Sequence, residues 1–149
     1  MRLVIFFSVT FLISISVIAE NLDFQINTSP VERLPEQSVA SLVDGGFVVV
    51  WGAPNIDGNL VGVFGQQYTK NGNKLGNEFQ VNTYSVGYQV DPSVTGLPDG
   101  GYVVVWTSGP ALTVPNGKRG LYGQRFASDG EKVGEEFRVH TYGGDASVK

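Results

Sequence analysis

Beyond residue 20 the chain shows no stripe of apolar residues at helical spacing. Apolar positions come in short runs, each closed by glycine, asparagine, aspartate or proline, which is the pattern of short strands joined by turns. The runs also recur. Phe24-Gln25-Ile26-Asn27-Thr28 returns as Phe79-Gln80-Val81-Asn82-Thr83 and as Phe137-Arg138-Val139-His140-Thr141, at intervals of 55 and 58 residues. Between these markers, Asp44-Gly45-Gly46-Phe47-Val48-Val49-Val50-Trp51 returns as Asp99-Gly100-Gly101-Tyr102-Val103-Val104-Val105-Trp106. Gly65-Gln66 returns as Gly123-Gln124, and Lys74, Gly76 and Glu78 return as Lys132, Gly134 and Glu136. Self-similarity over this length is the signature of a repeat architecture.

Each unit reads as four strands. In the first unit the pattern predicts strand a over Ser38 to Leu42, b over Phe47 to Trp51, c over Gly62 to Tyr68 and d over Phe79 to Thr83. Asp44-Gly45, Asn71-Gly72, Asp99-Gly100 and Asp129-Gly130 supply the positive φ angles of tight hairpins, so antiparallel neighbours are expected across them. The seven prolines, at positions 30, 35, 54, 92, 98, 110 and 115, are read as lying outside the strands, because a proline cannot donate to the ladder. Strand b is apolar at five consecutive positions, as expected of a strand covered on both faces. With no helices to supply that cover, other sheets must do so. The expectation is an all-β chain of two four-stranded antiparallel meanders, stacked as β-propeller-like blades, with a β-sandwich or β-solenoid as the alternative.

The first residues stand apart. Met1-Arg2, an apolar run from Leu3 to Ile18 and then Val17-Ile18-Ala19 describe a secretory signal peptide cleaved after Ala19. The run is shorter than the roughly 20 residues of a membrane span, and no later segment approaches that length. The expected organisation is a signal over 1–19 and a repeat domain over 20–149, with units at 24–78 and 79–136 and the start of a third at 137–149. A secreted or cell-surface product follows, with Asn27-Thr28-Ser29 as a glycosylation sequon.

Composition narrows the chemistry. The 149 residues include 20 Gly, one His and no Cys. Disulfides, zinc ribbons, thiol nucleophiles and two-histidine metal motifs are thereby excluded. A net charge of −4 without a Lys/Arg cluster argues against a nucleic-acid partner.

The string DGGFVVVW, then G-[VL]-[FY]-G-Q-[QR]-[YF], then [ND]-G-x-K-x-G-x-E-F-x-V-[NH]-T, resembles a repeat found in tandem in large secreted surface and haemolysin-type proteins of bacteria and in some single-celled eukaryotes. The resemblance spans Phe24 to Thr141. It implies an extracellular, adhesion-like or calcium-associated setting and brings no catalytic residues with it. The glycine- and aspartate-rich nonapeptides that bind calcium in haemolysin-type proteins are missing, and only two full units are present.

Meander topology places the a–b and c–d turns at one end and the b–c and d–a connections at the other. Gly52 to Val61 and its counterpart Thr107 to Arg119 differ by three residues, the whole change of period, so variation gathers at the second end. Variable loops on a rigid scaffold are the default binding face. Its candidate residues are Arg33, Glu36, Asn55, Asp57, Asn59, Tyr84, Tyr88, Asp91, Asn116, Lys118 and Arg119. Asn55, Asp57 and Asn59 space three oxygen side chains as a short calcium loop would, although the second unit offers Asn116-Gly117-Lys118-Arg119 there, which repels a cation. Tyr84, Tyr88 and Tyr142 suit a sugar ring or packing against a neighbouring blade. His140, standing where Asn27 and Asn82 stand, reads as a strand-end hydrogen-bonding site.

The expected function is a secreted, non-catalytic binding or adhesion module with an extracellular glycan or protein ligand. It would be a fragment of, or a protomer for, a larger propeller-like assembly, completing its sheets with further repeats or by self-association. The alternatives are a structural array segment without a ligand and a carbohydrate-active propeller enzyme, the latter lacking S-x-D-x-G-x-T-W boxes. No cofactor is expected beyond the candidate calcium loop.

Overall fold

A computed structural model of the chain describes residue 26 and residues 36–53, 61–110 and 117–140. Every regular element among them is a strand: β1 (Gln37–Ser41), β2 (Phe47–Ala53), β3 (Gly62–Tyr68), β4 (Lys74–Gln80), β5 (Tyr88–Gly96), β6 (Tyr102–Gly109), β7 (Gly120–Phe126) and β8 (Lys132–His140). They form two antiparallel four-stranded meanders, β1-β2-β3-β4 and β5-β6-β7-β8, neither closed into a barrel.

The four expected hairpins are present, with a different turn. Leu42 accepts from the Gly45 amide and pairs with Gly46, and only the glycine takes positive φ, at 84°. This is a three-residue type I turn ending in a glycine bulge, so the positive φ expected of the Asp-Gly pair falls on its glycine alone. The same two bonds recur at Thr69/Gly72/Asn73, Leu97/Gly100/Gly101 and Ala127/Gly130/Glu131. The aspartate oxygen of Asp44 or Asp99 accepts from the amide two residues on, at 2.8 and 3.1 Å, which explains its place in the motif. The second glycine serves contact rather than φ: a Cβ on Gly46 would stand 2.5 Å from the Tyr68 carbonyl oxygen.

Two boundaries depart from expectation. Strand d is Lys74–Gln80, not Phe79 to Thr83, and the two ranges share only Phe79 and Gln80. Pro92 lies inside β5 rather than outside the strands. It is tolerated because β5 is an edge strand and its register against β6 shifts between Val90 and Ser93, leaving no ladder bond for the missing N–H.

A second irregularity explains the Gly-Gln pair. The β3–β4 register shifts between Gly65 and Gln67, exposing carbonyls that the ladder does not satisfy. The buried Gln66 amide donates to the carbonyls of Gln67, Leu75 and Gly76, at 2.9, 3.1 and 3.3 Å. Gln124 does the same for Arg125, Val133 and Gly134. Phe79 lies over Gly65, and Phe137 over Gly123, where a Cβ would come within 3 Å of the ring.

The sheets stack face to face by unlike faces. Val48, Val50 and Val63 from β2 and β3 pack on Val94, Tyr102, Val104, Trp106, Tyr122 and Phe126 of the second sheet. The opposite face of the first sheet, with Val49, Trp51 and Tyr68, is packed by Ile26. β2 is therefore buried on both faces, as its unbroken apolar run predicts, whereas β6 alternates between buried and half-buried. Each fully buried large apolar side chain contributes about 1.5–3 kcal/mol, so this inter-sheet layer is the principal source of stability.

Candidate binding face

The string Phe-Gln-Val-Asn-Thr, expected to be a strand, divides its residues between strand and joint. Phe79 and Gln80 end β4, and Val81 turns into the layer between the sheets, fully buried. Asn82 is then a buried hub. Its Oδ1 accepts from the Val63 amide at 2.8 Å, while its Nδ2 donates to the Tyr84 carbonyl at 3.0 Å and to Gln89 Oε1 at 3.3 Å. Gln89 in turn donates to the Val86 carbonyl at 3.1 Å. The β4–β5 connection is thus tied to β3 on one side and β5 on the other. Burying these amides is tolerable because each has a partner. The expectation of a strand-end hydrogen-bonding site describes Asn82 well, but its repeat-mate His140 is exposed on β8.

The same connection is fastened to β8. Glu136 accepts from the amides of Thr83 and Tyr84 at 2.8 and 3.2 Å, and its other oxygen lies 3.1 Å from Lys118 Nζ. Lys118 stands 4.8 Å above the Tyr84 ring and 5.2 Å above the Tyr122 ring, and its amide donates to the Tyr84 hydroxyl. Arg138 donates to the Arg119 carbonyl at 2.8 Å. Lys132 donates to the Thr83 hydroxyl at 3.1 Å, and burial pulls its ammonium below the usual lysine range. Glu136, Lys132 and Asn82 were not among the candidates. The recurrence of Lys74, Gly76 and Glu78 as Lys132, Gly134 and Glu136 was the available signal, but spacing alone does not tell which repeated charge clamps a neighbouring segment.

Of the candidates, Tyr84 and Lys118 are brought together and bind each other. Tyr88 is exposed at the start of β5, opposite Gly109 and bridged to Val61. Glu36 and Asp91 are repeat-mates that meet: both take positive φ, at 60° and 55°, and both are exposed. A hydrogen bond between their carboxyls, with their mutual repulsion, raises the pKa of Glu36. Arg33, Asn55, Asp57, Asn59 and Asn116, with the sequon Asn27 and with Tyr142, lie outside the described residues. Among the described residues no group of three His, Cys, Asp or Glu side chains is placed to hold a metal ion.

The opposite end carries the four hairpin turns, which pack on one another: a Cβ on Gly100 would touch both Ser128 and Val43. Asp99 pairs there with Arg125, and its carboxyl is held below the usual range by the Gly101 amide first and by Arg125 second. In comparisons with protein-family models, curated proteins and solved structures, the chain matches none.

Proposed function

We propose that the chain is a secreted, non-catalytic binding or adhesion module, and a protomer of a larger stack of the same repeat. The observation that supports this most is the division of labour between the two ends of the sheets. Repeated side chains build the turns, the bulges and the faces of the sheets, whereas the connections that differ between repeats lie at one end, with Glu36, Tyr88, Asp91, Lys118 and Arg119 exposed near them. Rigid sheets that present unequal loops are how scaffolds carry recognition. The resemblance to tandem repeats of secreted surface proteins supports the same reading.

The test is capture on an array of glycans and extracellular proteins by the chain expressed with its own leader and collected from the medium. Capture is expected, weakened by Arg119→Ala at the loop end and unchanged by Lys70→Ala at the turn end. Failure of capture with and without calcium would remove the binding reading. Turnover of chromogenic glycosides, lost on Glu36→Gln, would replace it with an enzyme.

A further inference from the structure

We propose that copies of this chain stack head to tail, the outer face of the β5–β8 sheet of one copy seating on the outer face of the β1–β4 sheet of the next. The proposal rests on the protomer reading above and names the partner as a second copy.

The internal joint is the template. The inner face of the first sheet carries Val48, Val50, Val63, Phe79 and Val81, which the second sheet covers. The outer face of the second sheet repeats it residue for residue as Val103, Val105, Leu121, Phe137 and Val139. Burial differs sharply between repeat-mates: Val81 is 0% exposed and Val139 48%, while half-buried Phe79 has its counterpart in Phe137 at 44%. The complementary half of the joint lies at the other end of the molecule, exposed at β1 and buried beneath Ile26 at Val49, Trp51 and Tyr68. Val94, 9% exposed in the layer between the sheets, is matched on the outer face of the first sheet by Val39 at 64%. One chain therefore carries both halves of an interface it already makes internally, one exposed and the other capped by Ile26.

The polar contacts across the joint have counterparts too. The Gln67 side chain donates to the Ser128 carbonyl at 3.4 Å, and the Val94 amide donates to the Ser38 hydroxyl at 3.2 Å. Between copies these places are taken by Arg125 with the carbonyl of Lys70, and by Val39 with Ser93. Arg125 keeps five donors, so it meets that carbonyl while retaining Asp99.

Ile26 decides the strength of this contact. It packs over Trp51 and Tyr68, the place that Val81 takes over the second sheet, and the Tyr68 hydroxyl holds its carbonyl at 3.0 Å. Val139 of the neighbour takes that seat when copies join. Phe126, the repeat-mate of Tyr68, needs no such bond beneath Val81. Because the two faces are unlike, the contact is heterologous and propagates into a ring or filament instead of stopping at a two-fold dimer.

Light scattering across concentration on the secreted protein tests this with two exposed-face variants, Val39→Glu and Val139→Glu, whose folding is checked by circular dichroism. The unaltered chain is expected to gain mass with concentration, and each variant to remain monomeric. An equal mixture of the two should give the mass of two chains, because each keeps the face that the other lacks. Tyr68→Phe, which loosens Ile26, should associate at lower concentration than the unaltered chain. A monomeric unaltered chain, variants that associate like it, or a mixture that stays monomeric overturns the stack. A Tyr68→Phe chain that needs the same or higher concentration overturns the exchange with Ile26. Array capture by a monomeric chain leaves the binding reading standing while this proposal fails, and association without capture gives the reverse.

Discussion

The two sheets are near copies in sequence and differ in what their residues do. Val48 and Val50 are buried in the layer between the sheets, while Val103 and Val105 are half exposed. Asn82 holds a buried hub and His140, in its place, lies exposed. Even the stacked ring pair is preserved with its hydroxyl moved. Phe47 and Tyr68 stack at 4.8 Å in the first sheet, and Tyr102 and Phe126 at 4.9 Å in the second. The Tyr68 hydroxyl finds the Ile26 carbonyl, whereas that of Tyr102 is buried without a partner, and its burial pushes the phenol pKa up. In a repeat, burial is a property of the neighbour as much as of the residue, because each unit hides its apolar face only against the next.

Three measurements break or sharpen this comparison. The largest effect is expected at the Asn82 position. Asn82→Ala strands the Val63 amide and the Tyr84 carbonyl in a buried site and should cost about 2–4 kcal/mol in urea unfolding. His140→Ala, at the same place in the repeat, should stay within about 0.5 kcal/mol. Equal losses would mean that the second joint is also closed in the monomer.

An intermediate effect with opposite signs is expected from the ring pairs. Tyr68→Phe removes a satisfied hydroxyl and should cost about 0.5–1.5 kcal/mol, while Tyr102→Phe removes an unsatisfied one and should be neutral or gain about 1 kcal/mol. Thermal unfolding in dilute solution reads both. A loss at Tyr102 as large as that at Tyr68 would show that its hydroxyl has a partner.

The smallest effect concerns Glu36 and Asp91, where the two units meet at the loop end. The folded pKa of Glu36 lies above its unfolded value, so its contribution to stability is present at low pH and is lost as pH rises through the folded pKa. Glu36→Gln, free of that loss, should unfold at slightly higher temperature than the unaltered chain near neutral pH. The gap should close toward about pH 4, where carboxyls of ordinary pKa take up protons. A gap that widens on acidification would contradict the pairing.

Much of the fold was legible because a repeat states its pattern twice. The Asp-Gly-Gly strings, the five apolar positions of β2 and the Gly-Gln pair located strands, turns and antiparallel partners. What failed shares one cause. Phe79 to Thr83 is contiguous in sequence, yet it crosses from a strand into the joint between sheets, and no local pattern marks the residue where that happens. Pro92 was excluded from a strand by a rule that an edge bulge relaxes. Glu36 and Asp91 were both candidates on the binding face, but one period apart they gave no sign of touching; their contact depends on how the two sheets are set side by side.

The sequence by itself determined the four-strand meander of each described sheet and the two ends of each sheet, since these follow from periodicity and from turn residues acting over a few positions. Only the tertiary structure decided which face of each sheet is covered, that unlike faces meet, and that Asn82, Glu136 and Lys118 fasten one unit to the next. Those outcomes are set by packing between sheets and by partners that no local pattern joins, as far as 53 positions apart in the Thr83–Glu136 bond.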